Sequence, residues 1–305
     1  PVLDPGLGAG EQKERLRKLK QSLELQIVWR ALLGLTTPER CSRELSALAE
    51  ACVGAAWILA YTSVAAECGH PEGPPGRWIP AVVIALGKLG GRELTTGSDL
   101  DLFVLYEGDG RTDGAVPLDT HVFYDRVVER LGSVLGEITT AGLVFPVDLR
   151  LRPGSTGSGF ANSLSGFERY YAEWGELWER QALVKARPVW GDPRLARLTL
   201  RAIRRVVYGG ALPPAGLKEI HQLRQRMEAE LGKETPGCFH VKFGRGGLVD
   251  VEFVTQALQL CHGAEHPGLR RTNTLAALGA IGKTEFLPAP DVEALDAHYR
   301  FLQGV

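Results

Sequence analysis

The chain has 305 residues and a formal net charge of −1 at pH 7. A chain of this length can bury a large core and form two or three packing units. The near-neutral charge argues against a protein that coats nucleic acid, because non-specific binding there depends on excess positive charge. Hydrophobic residues make up 44% of the chain and charged residues 23%, as in ordinary soluble proteins. We therefore expect neither nucleic acid nor a membrane as a partner.

The longest uncharged run, residues 51–66, predicts a buried helix. It is shorter than the roughly 20 residues that a membrane crossing needs, and it contains Tyr61, Thr62 and Ser63. Five cysteines are widely spaced and form no CxxC pair, which is typical of reduced thiols in a cytoplasmic protein rather than of a disulfide framework. Because the chain begins with Pro1 and ends on a helical pattern, we expect it to be a piece of a longer protein.

Residues 1–78 are predicted to form a helical N-terminal segment. Leucine and isoleucine residues recur near helical spacing between residues 16 and 32, and Thr37-Pro38-Glu39 is typical of a helix start with proline at its first position. A turn-rich stretch, residues 70–77, ends this segment.

Residues 79–190 are predicted to form a domain in which strands mix with helices. Apolar runs at 81–86, 102–106 and 143–149 indicate strands, and Pro146 places the third at an edge or a bulge. Between the second and third runs lies a helical pattern made by Phe123, Val127, Leu131, Val134 and Ile138.

Beyond Gly159 the pattern becomes helical again. Helical spacing places four aromatic residues on one face, Phe167, Tyr170, Trp174 and Trp178. We expect residues 191–305 to form a helical bundle that is truncated at its C-terminal end. Strands mixed with helices and followed by helical sequence indicate an α/β or α+β core with a helical domain.

Asp99 and Asp101 stand one residue apart at the start of an apolar run, after a glycine-rich turn. A strand has a side-chain period of two, so both acids are predicted to point to one face. Two like charges on one face repel each other unless a cation neutralises them, and a divalent metal is the usual one. A metal beside such a turn suits phosphoryl or nucleotidyl transfer. The alternative is that alternating acids mark the solvent face of an edge strand.

A two-metal site needs a third acid on a neighbouring strand. Asp148 is the best candidate, because it lies near the end of the third predicted strand. Arg150 and Arg152 follow it at a period of two, and their planar guanidinium groups suit phosphate oxygens. The alternative is an Asp–Arg pair that closes the strand as a modest salt bridge.

The glycine-rich turn at residues 87–91 matches neither a P-loop nor a dinucleotide-binding fingerprint. Glycines from Gly87 onward allow backbone N–H groups to approach a triphosphate closely, with Lys88 and Ser98 as further donors. The alternative for Gly90 and Gly91 is an ordinary turn between a strand and a helix.

Other polar clusters carry weaker signals. Lys185 and Arg187 add positive charge that faces either a nucleotide, a partner or solvent on a helix face. Asp250 follows a glycine turn at 244–247 and is predicted to favour the first turn of a helix through its dipole. A zinc site made by Cys261, His262 and His266 is disfavoured, because Gly263 and Pro267 break the helix that would present these side chains.

The order of a glycine turn, Ser-Asp-x-Asp and a later Asp resembles the nucleotidyltransferase superfamily. Four ordered blocks are similar to the glutamine-synthetase adenylyltransferase family: GKLGGRELTTGSDLDLFVLY, VDLRLRPGSTGSG, LWERQALVKARPVWGD and KFGRGGLVDVEFVTQALQL. The resemblance implies an α+β fold, with a polymerase-beta-like mixed-sheet core between the helical segments. It also implies a cytoplasmic enzyme with ATP as substrate, and glutamine synthetase and a PII-type signal protein as partners.

Carried over by position, the resemblance implies that Asp99, Asp101 and Asp148 hold two Mg²⁺ ions, with Asp148 also accepting the proton of the tyrosine hydroxyl. The nucleotide would be bound by Gly87, Lys88, Ser98, Arg150, Arg152 and Lys185.

The family has two homologous halves, of which one transfers AMP to a tyrosine and the other removes it with phosphate. The spelling Gly97-Ser98-Asp99-Leu100-Asp101 resembles the transferring half, and Gln181 and Asp250 favour the same assignment. Removal of AMP with release of ADP is the first alternative. A non-catalytic module that docks glutamine synthetase or a PII-type protein is the second.

Overall fold

The computed structural model describes residues 4, 6–74, 76–150 and 159–304. Contacts within the chain divide it into two compact units: the first contains residues 1–174 and 187–202, and the second contains residues 175–186 and 203–305. These units are groups of residues in contact, and the division into 1–78, 79–190 and 191–305 stays a prediction.

The described strands are β1 (Pro71–Gly73), β2 (Arg77–Trp78), β3 (Ala81–Ala85), β4 (Leu100–Tyr106), β5 (Arg111–Thr112), β6 (Val147–Asp148), β7 (Ala161–Ser163) and β8 (Arg187–Gly191). The α-helices of the first unit are α1 (Ala9–Leu32), α2 (Pro38–Cys68), α3 (Gly87–Gly91), α4 (Thr120–Gly136) and α5 (Leu164–Glu173). Those that follow are α6 (Leu177–Ala182), α7 (Pro193–Tyr208), α8 (Pro214–Met227), α9 (Leu248–His262), α10 (Thr274–Ile281) and α11 (Ala289–Gly304). The boundary between the units falls within α7.

The main sheet of the first unit is mixed. Its order is β6-β4-β3-β8, and β7 also pairs with β4. Strand β3 is antiparallel to both β4 and β8, whereas β6 and β7 run parallel to β4. A small antiparallel sheet of order β2-β1-β5 lies in the same unit. This combination of mixed sheets and helices is compatible with the predicted α+β class.

Strands β3 and β4 form where the sequence is rich in β-branched and aromatic residues, which favour a pleated, buried surface. Every residue of β3 is buried. In β4 the even-numbered residues from Leu100 to Tyr106 belong to the large core with α2 and α4. Phe103, on the other face, stacks on Phe167 of α5 with ring centroids 6.1 Å apart. The sheet is therefore covered on both faces over most of β4.

The third predicted strand, 143–149, is wrong in its length, because only Val147–Asp148 forms a strand. The amides of Val144 and Phe145 both donate to the carbonyl of Leu135, each at 3.0 Å, so they cap the end of α4 and cannot join a ladder. Pro146 has no N–H to donate, although its carbonyl accepts from the amide of Leu100 at 2.9 Å.

The predicted helix start at Thr37-Pro38 is confirmed at the N-terminus of α2. The Thr37 side chain accepts from the amide of Arg40 and Pro38 takes the first helical position. Length and composition alone would allow α2 to cross a membrane. Of its most apolar window, 56% is buried inside the protein, and α2 packs against α1 and α4, as the core helix of a globular domain does.

Two helical patterns differ from the prediction at their ends. In α4 the apolar positions from Phe123 to Val134 are buried as expected, but Ile138 lies beyond the helix and is 78% exposed. The aromatic face predicted from Phe167 onward is divided, because α5 ends at Glu173. Trp174, just past this end, is 71% exposed.

All described elements of the second unit are helical. Small clusters of buried residues stabilise it, and one of them joins Leu248 and Val251 of α9 to Leu278 of α10 and Tyr299 of α11. Helix α8 continues into a π-helical turn, Glu228–Gly232, which ends at Lys233 in the left-handed region with φ 45°. This turn brings the chain back toward the loop before α9.

Candidate active site

Strand β4 places a carboxylate on the sheet face opposite the large core. Leu100 and Leu102 are fully buried and belong to that core. Asp101 lies between them and is only half-buried, because alternate residues of a strand point to opposite faces. Asp99 precedes the first residue of the strand and is exposed. Asp99 and Asp101 can both be charged at this end of β4, because it is more exposed to solvent than residues 102–106 of the strand.

Strand β6 brings Asp148 beside Asp101. The two strands are parallel, and their register pairs Leu100 with Val147 and Asp101 with Asp148. Paired residues on neighbouring strands project to the same face, with the strands about 4.8 Å apart. The structure therefore places Asp148 beside Asp101 on the neighbouring strand, and its role as a metal ligand stays a prediction.

Arg150 neutralises this acidic group. Its backbone amide donates to Oδ1 of Asp148 at 2.8 Å, and its Nη2 donates to Oδ2 at 2.6 Å. These hydrogen bonds lower the pKa of Asp148, with the side-chain bond from Arg150 as the largest cause. The same pair raises the pKa of Arg150, and Asp101 and Asp99 add smaller electrostatic contributions. One guanidinium thus interacts with all three acids.

Gly87 lies against the Asp101 carboxylate. Its φ is 50°, in the left-handed region that favours glycine. A Cβ at this position would clash with Oδ2 of Asp101. The amide of Leu86 donates to the carbonyl of Asp101 at 2.9 Å, so the turn and the acid are held together. Of the predicted nucleotide-binding residues, Gly87 therefore lies against Asp101, as Arg150 lies against Asp148.

Lys88 and Ser98 meet through Thr95, which the sequence analysis did not single out. Lys88 donates through Nζ to Oγ1 of Thr95 at 2.8 Å. The hydroxyls of Thr95 and Ser98 are 3.0 Å apart, and the Thr95 amide donates to Oγ of Ser98 at 3.2 Å. The signal that could have identified Thr95 is its place at the start of a turn-forming stretch, Thr95-Thr96-Gly97-Ser98. These contacts fix the loop that leads into Asp99.

The stretch 87–91 forms the short helix α3 rather than an open turn. The amide of Gly90 donates to the carbonyl of Leu86 at 2.8 Å, and the amide of Glu93 donates to that of Lys88. Arg92 ends the helix in the left-handed region with φ 57°. The amide of Gly90 is therefore engaged within the protein and is not available to a triphosphate.

The donors around Asp101 have the chemistry of a magnesium site. Carboxylate and hydroxyl oxygens are the ligands that Mg²⁺ prefers, and Asp99, Asp101, Asp148 and Ser98 supply them. Within the part of the chain that the structure describes, no three His, Cys, Asp or Glu side chains are grouped as they would be around an ion. Asp148 instead has the guanidinium of Arg150 as its counter-ion. The donor set suits Mg²⁺ in its chemistry, and the ion pair with Arg150 engages one of its three acids.

Lys185 and Arg187 belong to different units and are not on a solvated helix face. Lys185 is 4% exposed, and its Nζ donates to Oε1 of Glu252 at 3.1 Å within the second unit. Arg187 lies on β8 in the first unit, where it donates to Oε1 of Glu50 at 2.7 Å and to the carbonyl of Leu89 at 2.7 Å. Burial lowers the pKa of Arg187, which the ion pair with Glu50 partly offsets.

Three further predictions have separate outcomes. Arg152 lies outside the described residues. Asp250 lies in the first turn of α9, as expected. The ring of His262, which the sequence disfavours as a zinc ligand, stacks on Phe286 with centroids 3.8 Å apart.

Comparison with known proteins gives two family matches that meet near the boundary of the two units. Residues 7–202 match the model for glutamate-ammonia ligase adenylyltransferase. Residues 214–305 match the model for GlnD PII-uridylyltransferase.

Curated relatives agree with the first match. The chain is 36% identical over 290 residues to a bifunctional glutamine synthetase adenylyltransferase/adenylyl-removing enzyme from Thioalkalivibrio sulfidiphilus, covering 94% of this chain and 30% of that protein. Proteins of the same description from Pseudomonas aeruginosa and Hahella chejuensis are 35% and 33% identical, covering 96% and 100% of this chain and 30% and 32% of the relatives. The chain thus spans about 30% of the length of these relatives. On the match over residues 7–202, the chain belongs to the glutamate-ammonia ligase adenylyltransferase family.

Proposed function

We propose that this chain transfers AMP from ATP onto a tyrosine of glutamine synthetase, in the cytoplasm and with Mg²⁺. The observation that supports the proposal most directly is the register of β4 and β6, which pairs Asp101 with Asp148 beside Gly87. Carboxylates on adjacent strands, next to a loop held by Lys88 and Ser98, suit a polymerase-beta-like nucleotidyltransferase core. The names of the relatives supply glutamine synthetase as the substrate.

The roles follow from the positions of the side chains. Asp99, Asp101 and Asp148 would hold Mg²⁺, which when bound draws negative charge from the phosphate oxygens of ATP. Arg150 is 86% exposed at its side chain, so it can leave Asp148 and turn to a phosphate oxygen, which its planar fork binds well. Lys88, on α3, and Ser98, in the loop before β4, would contact the phosphate groups of ATP.

The reaction requires a deprotonated tyrosine oxygen. A tyrosine has a pKa of about 10 and is protonated at neutral pH. The Asp148 carboxylate accepts the hydroxyl proton as the oxygen attacks the α-phosphorus of ATP. The bond between the α-phosphorus and the bridging oxygen breaks, and pyrophosphate leaves with that electron pair. Release of Asp148 from Arg150 makes the carboxylate a stronger base, because the ion pair is what lowers its pKa.

The choice between transfer and removal of AMP is inferred from the sequence motif around Asp99. Gly97-Ser98-Asp99-Leu100-Asp101 resembles the transferring half of the family, and we assign this chain to that activity. The match of residues 214–305 to a PII-uridylyltransferase model supports a PII-type signal protein as the regulatory partner of the second unit. All five cysteines are free, which supports a reducing cytoplasmic environment.

Incubation of the chain with ATP, Mg²⁺ and unmodified glutamine synthetase tests the proposal. Intact-mass spectrometry should show one added AMP on each modified subunit, and chelation of Mg²⁺ or Asp101→Asn should abolish it. A parallel reaction with phosphate and AMP-modified synthetase should release no ADP. Release of ADP there, without transfer in the first reaction, would assign the reverse activity to this chain. Binding of the synthetase with neither reaction would leave only the docking role.

A further inference from the structure

The second unit contains a cavity of about 810 Å³ that the proposed reaction does not use. It lies between α8, the π-helical turn after it and the loop before α9. Its wall includes Arg224, Glu228, Lys233, Arg245 and Asp250. A cavity of this size is in the range of small-molecule sites.

Arg224 at the wall of this cavity is buried with part of its guanidinium unsatisfied. The residue is 6% exposed. Its Nε donates to Oδ1 of Asp250 at 2.5 Å, and its Nη2 donates to the carbonyls of Phe243 and Gly244 at 3.0 and 2.9 Å. Its Nη1 has no hydrogen-bond partner. Buried N–H groups of a charged side chain are expensive to leave unpaired, so this atom marks the place of a missing acceptor.

Glu228 is the nearest carboxylate to that atom but does not satisfy it. Its Oε2 lies 3.8 Å from Nη1, which is too long for a hydrogen bond. The Glu228 side chain is 41% exposed, and it stands on the π-helical turn. It can therefore swing into solvent and leave room for another anion.

The other charges of the wall favour an anion. Oδ2 of Asp250 already accepts from the amide of Gly246 at 2.6 Å, and Glu234 accepts from the amide of His240 at 2.9 Å. Lys233 and Arg245 are exposed at the rim, and neither side chain forms an ion pair with any described residue. Asp250 and Glu234 thus accept hydrogen bonds from backbone amides. Among the described residues, Lys233 and Arg245 have no ion-pair partner and Nη1 of Arg224 has no hydrogen-bond acceptor.

We propose that this cavity binds a small anionic metabolite through a carboxylate or phosphate group. The group accepts from Nη1 of Arg224 in place of Glu228, and Lys233 and Arg245 neutralise its remaining charge. Occupancy would tie α8 to the loop before α9 through the shared anion. The inference does not depend on the reaction proposed for the first unit.

Calorimetric titration of the whole chain with inorganic phosphate, and separately with succinate, tests the site at matched ionic strength. We expect saturable binding of at least one probe. Arg245→Gln and Lys233→Gln should each weaken it about tenfold, since each removes a charged partner of the anion. Glu228→Gln should tighten it several-fold by removing the competing carboxylate. Arg226→Gln is the matched control. Arg226 is exposed on α8, the helix that contains Arg224, and does not line the cavity, so this variant should leave the affinity unchanged.

The two probes identify the ligand class. Binding of phosphate alone or of succinate alone supports the site and assigns a phosphate or a carboxylate ligand to it. The proposal is overturned if neither probe binds saturably. It is also overturned if Arg245→Gln has no effect, which would place the anion elsewhere, or if Arg226→Gln weakens binding equally, which would show a general charge effect.

Discussion

Asp101 and Asp148 are register partners on the parallel strands β4 and β6, and Arg150 holds the second of them through its side chain and its backbone amide. These two acids therefore occupy adjacent backbone positions. Their mutual repulsion is relieved by a guanidinium on a mostly exposed side chain. A cationic side chain that can move away is a suitable counter-ion for a site that must accept a metal and a nucleotide.

Replacement of Asp148 by Asn is expected to abolish AMP transfer. Asparagine has the same shape but neither carries the negative charge nor accepts the tyrosine proton, so kcat/KM should fall by roughly 1000-fold or more. The control is Asp109→Asn, since Asp109 is exposed just beyond the other end of β4 and should retain near-native activity. Equal activity of both variants would remove Asp148 from the mechanism.

Arg150→Gln is expected to raise the pKa of Asp148 toward its ordinary value of 3.8, because the hydrogen bonds from Arg150 are what lower it. Carbon-13 NMR of the carboxyl group measures this directly. A pKa lowered by folding stabilises the protein above the unfolded-state value, and that stability is lost as the pH falls through the folded-state value. The variant should therefore lose less stability than the native chain on acidification below about pH 4. An unchanged pKa would show that the ion pair does not form in solution.

Gly87→Ala is expected to destabilise the first unit and to displace Asp101. The Cβ would clash with the Asp101 carboxylate at a positive φ, so we expect a loss of about 3 kcal/mol. Gly97→Ala is the matched control, because Gly97 has φ 75° but open space around its Cβ position. It should cost only about 1 kcal/mol, the backbone term alone. Urea denaturation of both variants separates the clash from the backbone strain.

Arg187→Gln is expected to cost about 3 kcal/mol of stability, because it removes the closer of the two arginine partners of the partly buried Glu50 and leaves it only Arg92, at 3.4 Å. Arg187 and Glu50 side chains are only 17% and 23% exposed, and the arginine also donates to the carbonyls of Leu89 and Gly90. Arg194→Gln breaks an exposed ion pair with Glu107 and should cost much less stability than Arg187→Gln, because solvent screens exposed pairs. A similar loss in both variants would argue against the buried position of Arg187.

The thiol of Cys52 is expected to resist alkylation while that of Cys238 reacts. Cys238 is exposed, whereas Cys52 is 3% exposed and burial raises its pKa to about 12. Because the folded-state pKa is raised above the unfolded value of 9.0, this contribution to stability is complete below pH 9 and is lost as the pH rises toward 12. Iodoacetamide labelling read by mass spectrometry, with and without urea, checks the accessibility. Cys52→Ala should show a smaller loss of stability above pH 9.

Local features could be predicted from the sequence. The start of α2 at Thr37-Pro38 and the buried face of α4 depend on residues within a few positions of each other, and both are confirmed. The third strand was predicted too long, because the amides of Val144 and Phe145 donate to Leu135, a contact that no local pattern reveals. The break after α5 was missed for a related reason, since aromatic spacing does not show where a helix ends.

The sequence by itself predicted metal-dependent nucleotidyl transfer. Its evidence was two acids one residue apart after glycines, a later acid followed by arginine, and four blocks that resemble one family. Alternation along a strand is a local property, so the sequence alone indicated that Asp99 and Asp101 point to the same face. Only the tertiary structure decided that β6 pairs with β4 in the register that sets Asp148 against Asp101. It also decided that Lys185 is buried against Glu252 and that Nη1 of Arg224 lacks a partner. Pairings between distant segments follow from how whole surfaces pack and from which polar groups remain unsatisfied after packing, and neither is recorded in the spacing of residues along the chain.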